Sequence, residues 1–176
     1  INNNDKVGVL FFSDQIERFI PPKKGRQHIL YIIRELLNFE PQHTGTDIGQ
    51  ALEYFSRVVK KRSICFVLSD FLTEGYETPL RIAARRHDVV GLRVYDPREE
   101  SLPSVGLLRA VDAETGAVRW VDTSSRTVRQ RYEEWYRELA EYQKQAFRQA
   151  GADSVPIRTN ESYVNALLAF FQKRRA

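Results

Sequence analysis

The stretch Ile64-Cys-Phe-Val-Leu-Ser-Asp70 runs five apolar residues, Ile64–Leu68, toward a carboxylate. An unbroken apolar run of this length reads as a strand buried on both faces. In open α/β sheets, ligands bind at the carboxyl ends of the strands, so such a strand would aim Asp70 into a crevice. Asp14 and Asp96 end the apolar runs Val7–Phe12 and Val89–Tyr95 in a similar way. Three carboxylates along one rim could hold a hard cation such as Mg²⁺, which takes oxygen ligands. The plainer reading is that each Asp caps a turn. That reading weighs most for Asp14 and Asp96, and least for Asp70, whose strand reads as the most buried.

The second candidate is His43-Thr-Gly-Thr-Asp-Ile-Gly-Gln-Ala-Leu52. Gly45 permits a tight backbone, and Thr46 stands just before a helix. Its hydroxyl could ligate a metal, or it could serve as an ordinary N-cap that accepts from the first-turn N–H groups. His43 reads as a loop residue, because no His or Cys lies at metal-ligand spacing from it.

Alternating elements must position these groups. Val7–Phe12 reads as a buried strand, and Ile16–Ile20 as a shorter edge-like strand pairing back on it. Pro21-Pro-Lys-Lys-Gly25 then breaks the chain. Ile29, Leu30, Ile33, Leu36 and Leu37 recur at helical spacing, which predicts a helix over Arg26–Asn38. Ile48 through Val59 predicts a second helix, followed by the Ile64–Leu68 strand. A helix over Thr78–Arg86 and a strand over Val89–Tyr95 come next. Val105–Val111 and Ala117–Val121 flank Asp112-Ala-Glu-Thr-Gly116, a hairpin signal. Ser125–Ala150 is the longest predicted helix, stopped by Gly151. Ser154–Ile157 is a last short strand, and Tyr163–Phe171 a closing helix with Asn160 as its expected cap. Strands alternating with helices imply an α/β domain whose mostly parallel sheet carries helices on both faces, plus an antiparallel hairpin. There is no internal repeat, and residues 1–176 read as a single domain.

The chain has 176 residues, 42% hydrophobic and 28% charged, an ordinary balance for a globular domain with a real core. No apolar run approaches a membrane span, and the start shows no signal-peptide pattern. A single cysteine, Cys65, excludes disulfides within the chain and fits a reducing compartment. Together these features point to a cytoplasmic protein. The net charge of +4 favours an acidic partner without demanding nucleic acid. The basic clusters at Lys23–Arg26, Lys60–Arg62, Arg81 with Arg85-Arg86, and Lys173–Arg175 read as solvated helix ends. The absence of methionine and the opening Ile-Asn-Asn-Asn-Asp predict a piece of a longer polypeptide.

Gly45-Thr-Asp-Ile-Gly-Gln-Ala-Leu52 followed by Phe66-Val-Leu-Ser-Asp70 resembles the second and third motifs of the von Willebrand factor A fold. Val7-Gly-Val-Leu-Phe-Phe-Ser-Asp14 resembles that fold's second strand. A finer ordered set includes Phe19-Ile-Pro-Pro-Lys-Lys-Gly-Arg26, Phe66–Phe71, Arg85–Glu99, Leu102–Leu107 and Asp112–Ser124. It is similar to the bacterial domain of unknown function number fifty-eight and covers essentially the whole chain. The resemblance implies a von Willebrand A-like doubly wound fold and a partner among MoxR-type AAA+ ATPases, in chaperone or assembly roles. It also implies a metal-ion-dependent adhesion site for Mg²⁺, with Thr46 and Asp70 as ligands and the partner's carboxylate completing the coordination. That chemistry is protein binding, not turnover.

The sequence departs from the pattern in one place. The Asp-x-Ser-x-Ser motif and the first, central strand that carries it should precede Ile1. The near match Asp122-Thr-Ser-Ser-Arg126 follows the hairpin and reads as a turn into the long helix. Without that strand, either another segment or chain fills the gap or its two neighbours close up; open edges would favour pairing with another chain, a homo-oligomer included. The competing function is enzymatic: a Mg²⁺-dependent phosphohydrolase or a phosphoacceptor domain using Asp70. Against it, the chain holds no Gly-rich phosphate loop, no His-Glu-x-x-His and no Gly-x-Ser-x-Gly. Nucleic-acid binding is disfavoured by the modest, dispersed charge.

Overall fold

A computed structural model describes residues 5–112 and 116–175. The chain forms β1 (Val7–Phe12), β2 (Ile16–Lys23), α1 (Arg26–Leu37), α2 (Ile48–Val58), β3 (Ile64–Ser69), α3 (Glu77–Arg86) and β4 (Asp88–Tyr95). A 3-10 turn at Pro97–Glu100 leads to β5 (Leu107–Val111), β6 (Val118–Asp122), α4 (Arg126–Ala150), β7 (Asp153–Arg158) and α5 (Tyr163–Arg175). The architecture is mixed α/β. β3, β4 and β7 make a parallel three-stranded sheet in that order, while β1–β2 and β5–β6 are antiparallel pairs. The predicted hairpin turn at residues 113–115 lies outside the described residues.

Periodicity explains which faces are covered. Val67 on β3 and Val89 on β4 point to one side, where α2 (Ile48, Leu52), α3 (Leu80, Ala83) and α4 (Ala146, Phe147) close the main core with Phe71 and Tyr76. Phe12 of β1 packs against the same core. On the other side, Val90 and Leu92 of β4 meet Val155 and Ile157 of β7 beneath Ala166, Leu167 and Phe170 of α5. Phe11, the neighbour of Phe12 and hence on β1's opposite face, packs with Ile20 and Ile32 under α1. Burial of these side chains, at roughly 1.5–3 kcal/mol for each large aliphatic or aromatic one, is the main favourable term.

Several local expectations need correction. β2 runs on through Pro21 and Pro22 to Lys23 instead of stopping at Ile20, which its position at a sheet edge permits. Asn160 does not cap α5: it lies in a turn, and the first helical residue is Tyr163, which makes Ser162 the flanking residue. The basic run at 173–175 is not simply solvated. Arg174 clamps the two acids that begin neighbouring strands, reaching Asp88 at 2.6 and 2.8 Å and Asp153 at 2.8 Å. The turn reading of Asp122–Arg126 holds: Ser125 is the N-cap of α4, and Thr123 is fully buried, its hydroxyl donating to the Gly106 carbonyl at 2.6 Å.

β1 and β3 do not close up on each other. Among the described residues, each is hydrogen-bonded along one edge only, β1 to β2 and β3 to β4, and they belong to separate sheets. One face of β3 also stays bare, with Ile64, Phe66 and Leu68 exposed by 60%, 41% and 61%.

Candidate functional site at the strand ends

The carboxyl ends of β1 and β3 meet one loop. The Asp47 N–H donates to the Ser13 carbonyl at 2.8 Å, which joins the start of α2 to the residue that follows β1. A Cβ placed on Gly45 would lie 3.5 Å from the Asp14 Cβ, so the loop passes directly over Asp14. Gly45 itself has φ +89°, a conformation that favours glycine. On the other side, the Thr73 hydroxyl reaches the Thr46 carbonyl at 3.5 Å, the outer limit of a hydrogen bond. Thr46 and the segment Ser69–Thr73, which includes Asp70, therefore share one rim.

Thr46 is not the N-cap of α2. That role falls to Asp47, whose side chain accepts from the Gln50 N–H at 2.8 Å. An Asp one residue later competes for the same first-turn donors and wins, because a carboxylate makes the stronger, charge-assisted bond.

Asp70 owes its exposure to the residue after it. Phe71 adopts φ +58°, among the described residues the one non-glycine with positive φ, and its side chain is 1% exposed. A left-handed residue costs on the order of 1–2 kcal/mol. Burial of the Phe71 ring offsets that cost: it packs edge-on against Phe147 at 5.4 Å and near Tyr76 at 6.0 Å. The reversal turns the chain into the core immediately beyond Asp70 and leaves the acid outside. Ser69 Oγ accepts from the Phe71 N–H at 3.0 Å, and Asp70 Oδ1 from the Leu72 N–H at 3.2 Å, which fixes the turn.

Glu17 is the organising residue that the sequence did not reveal. Its Oε1 accepts from Ser13 Oγ at 2.9 Å, the His43 N–H at 2.9 Å and the Gln42 N–H at 3.1 Å. Burial alone would push its carboxyl up, but the bonds from Ser13, His43 and Gln42 together hold it below the ordinary carboxylate range. In Ile-Glu-Arg-Phe-Ile it occupies a polar position of an edge strand, where a solvent-facing acid is the default expectation. His43 is a loop residue as expected.

The three-carboxylate cluster does not form. Asp96 caps the 3-10 turn by accepting from the Arg98 N–H at 2.9 Å, which is the turn role foreseen for it. Among the described residues, no group of three or more His, Cys, Asp or Glu side chains is placed to hold a metal. What the rim offers is hard oxygen: the exposed Asp70 and Asp14 carboxylates, the half-buried Ser69 and the Thr46–Thr73 pair. That donor set suits Mg²⁺ in kind, since Mg²⁺ keeps several waters and binds through one or two carboxylates.

These features define a mixed α/β protein with a polar rim at the ends of its strands. The chain belongs to the family described as Protein of unknown function DUF58, whose match spans residues 1–142. Uncharacterized protein Mb1516 of Mycobacterium bovis is 28% identical over 97% of this chain and 55% of its own length, and Rv1480 of Mycobacterium tuberculosis matches equally. The chain thus spans about half the length of these curated relatives. Uncharacterized protein MAV169 of Mycobacterium avium is 26% identical over 89% of this chain and 94% of its own length. The fold is similar to that of the conserved hypothetical protein BatB from Bacteroides thetaiotaomicron, with TM-score 0.55, 20% identity, and 98% of this chain and 80% of that one covered. It is also similar to an aerotolerance-related membrane protein from Bacteroides fragilis, with TM-score 0.52, 20% identity, and coverage of 89% and 74%. Among the described residues, no helix is long and apolar enough to cross a membrane.

Proposed function

We propose that this chain is a non-enzymatic protein-interaction module of von Willebrand A type. Its docking rim is the edge carrying Thr46 and Asp70, and its partner is a MoxR-type AAA+ ATPase in a chaperone or assembly role. The observation that carries this reading is the tie between Thr46 and Thr73, which brings the α2 loop and the Asp70 turn to one rim. Thr46 and Asp70 would help to hold Mg²⁺ there. A bound Mg²⁺ supplies an open coordination position for a carboxylate of the partner. The protein's own residues do the rest: Phe71 keeps Asp70 outside, Asp47 takes over capping from Thr46, and Glu17 holds the 42–43 loop against the end of β1.

The test is calorimetric titration of the complete polypeptide with Mg²⁺ and then with the ATPase, each with and without chelator. Binding to the ATPase that strengthens with Mg²⁺, and that Asp70→Asn or Thr46→Ala abolishes, supports the reading. Equal affinity with metal and with chelator removes the metal from it. Acetyl-phosphate labelling of the protein, lost in Asp70→Asn, would replace it with the phosphoacceptor alternative.

A further inference from the structure

We propose that the cavity at the carboxyl ends of β4 and β7 binds a small organic anion, with a phosphate or carboxylate head on an aromatic body, and that Arg158 receives the head. The site uses neither Thr46 nor Asp70, and it stands apart from the metal and the ATPase.

The first support is the shape and lining of the cavity. Tyr95 and Arg158, the last residues of their strands, are register partners. Beside them lies a cavity of about 470 Å³, within the roughly 300–1,000 Å³ typical of small-molecule sites. Tyr95, Pro156, Tyr163 and Ala166 give it aromatic and apolar surface, while Arg158 and Glu161 give it charge. Such sites combine apolar walls with a few placed polar groups in this way.

The second support is how Arg158 is held. Its Nε donates to the Tyr95 hydroxyl at 2.9 Å, and its Nη1 donates to Glu161 Oε1 at 3.1 Å. The bond to Tyr95 fixes the guanidinium at the strand end. The bond to Glu161 is a weak tether, because the two side chains are exposed by 47% and 60% and such a pair contributes only about 0–1 kcal/mol. A ligand carboxylate or phosphate that meets the guanidinium fork with two oxygens can displace it. Glu161 thus occupies the place of the ligand's head.

The third support is a second guanidinium behind Tyr95. Arg93 is 8% exposed, and its guanidinium carbon lies 4.6 Å from the Tyr95 ring centroid and 5.1 Å from that of Tyr136. Its Nη2 is buried and has no hydrogen-bond partner among the described residues. Tyr95 therefore carries one guanidinium over its ring and another on its hydroxyl, and arginine does not lose its charge. Glu161, the one acid among the described residues that line the cavity, offsets this field only in part. The excess of positive charge selects an anion, and the tyrosine and proline walls select a flat apolar body.

The test is calorimetric titration of the complete polypeptide in EDTA, so that no divalent cation takes part. The probes are 1-naphthyl phosphate, 1-naphthoate, 1-naphthol and inorganic phosphate. At least one of the two naphthyl anions should bind at a single saturable site, and the tighter of them identifies the head group. 1-Naphthol and inorganic phosphate, each lacking half of the ligand, should bind at least about 10-fold more weakly. Arg158→Gln should weaken binding of the naphthyl anion by about 10-fold or more. Glu161→Gln, which removes the competing carboxylate, should tighten it by about 2- to 5-fold. A merely structural ion pair would make both substitutions act in the same direction. No saturable binding of either anion, an affinity that both substitutions leave unchanged or lower alike, or inorganic phosphate bound as tightly as the naphthyl anion overturns the site. None of these outcomes bears on the Mg²⁺ titration at Asp70, so the two readings fail separately.

Discussion

Gly91, at the centre of β4, lies directly beneath the ring of Phe147 on α4. A Cβ built on Gly91 would stand 2.6 Å from Cζ and 2.7 Å from Cε1 of that ring. Its role is therefore close approach, not a turn, and it lets the longest helix settle onto the sheet.

Gly91→Ala should destabilise the protein by about 1–3 kcal/mol, the usual cost of overpacking a filled core. Urea denaturation measures it. The double variant Gly91→Ala with Phe147→Leu should lose less than the sum of the single losses, by about 0.5–3 kcal/mol, because the smaller side chain leaves room for the new methyl. Strict additivity would mean that the ring is not what the methyl meets.

The sequence made most elements legible because their periodicities are strong. Val7–Phe12 is matched residue for residue, and Gly151 does end α4 in a left-handed conformation, with φ +69°. Asp47 took the cap expected of Thr46 because two adjacent side chains could serve the same donors and propensity alone did not separate them. Glu17 was illegible because its three partners come from Ser13 and a loop 25 residues away, and local alternation encodes only the face it occupies. Arg174 was misread for the same reason: one member of a basic run pairs with Asp88 and Asp153, which only strand order brings together. The turn at Phe71 is only partly local: Ser69 and Asp70 accept the turn's N–H groups, but the left-handed phenylalanine also depends on burial of its ring against Phe147 and Tyr76, which neighbouring residues do not encode.

His87 predicts an acid-sensitive fold. It is 2% exposed, its ring lies 4.6 Å from that of Phe55, and among the described residues neither ring nitrogen has a hydrogen-bond partner. Burial, reinforced by the neighbouring Arg86 charge, lowers its pKa and keeps the folded imidazole neutral. The unfolded chain therefore takes up the proton first. The stability His87 contributes is complete above its unfolded value of about 6.5 and is lost as pH falls through the lower folded value. His87→Leu should remove this slope while leaving stability at pH 7.5 equal or slightly higher, since a buried group without partners is removed. Chemical denaturation at pH 7.5, 6.5 and 5.5 checks it. A slope unchanged in the variant would assign the acid sensitivity to another group.

The Arg174 clamp acts in a separate, lower window. Its hydrogen bonds to Asp88 depress that carboxyl's pKa, more than burial raises it, with further help from the Arg174 and Arg62 charges. Here the folded pKa lies below the unfolded one, so the stabilisation is present above about pH 4 and disappears as pH falls through the folded value. Both side chains are about one-third exposed, at 32% each, so solvent screens the pair and the clamp contributes only about 1 kcal/mol or less. Arg174→Met keeps the stem that lies along Phe170, whose ring centroid is 4.9 Å from the guanidinium carbon, and removes the charge. The variant should lose up to that amount at pH 7 and show a shallower decline below pH 4, with no change in the window assigned to His87. Raising salt should weaken the wild type toward the variant, because a partly exposed ion pair is screened. A variant with the wild-type acid profile and the wild-type salt response would show that α5 is held to β4 and β7 by its apolar contacts alone.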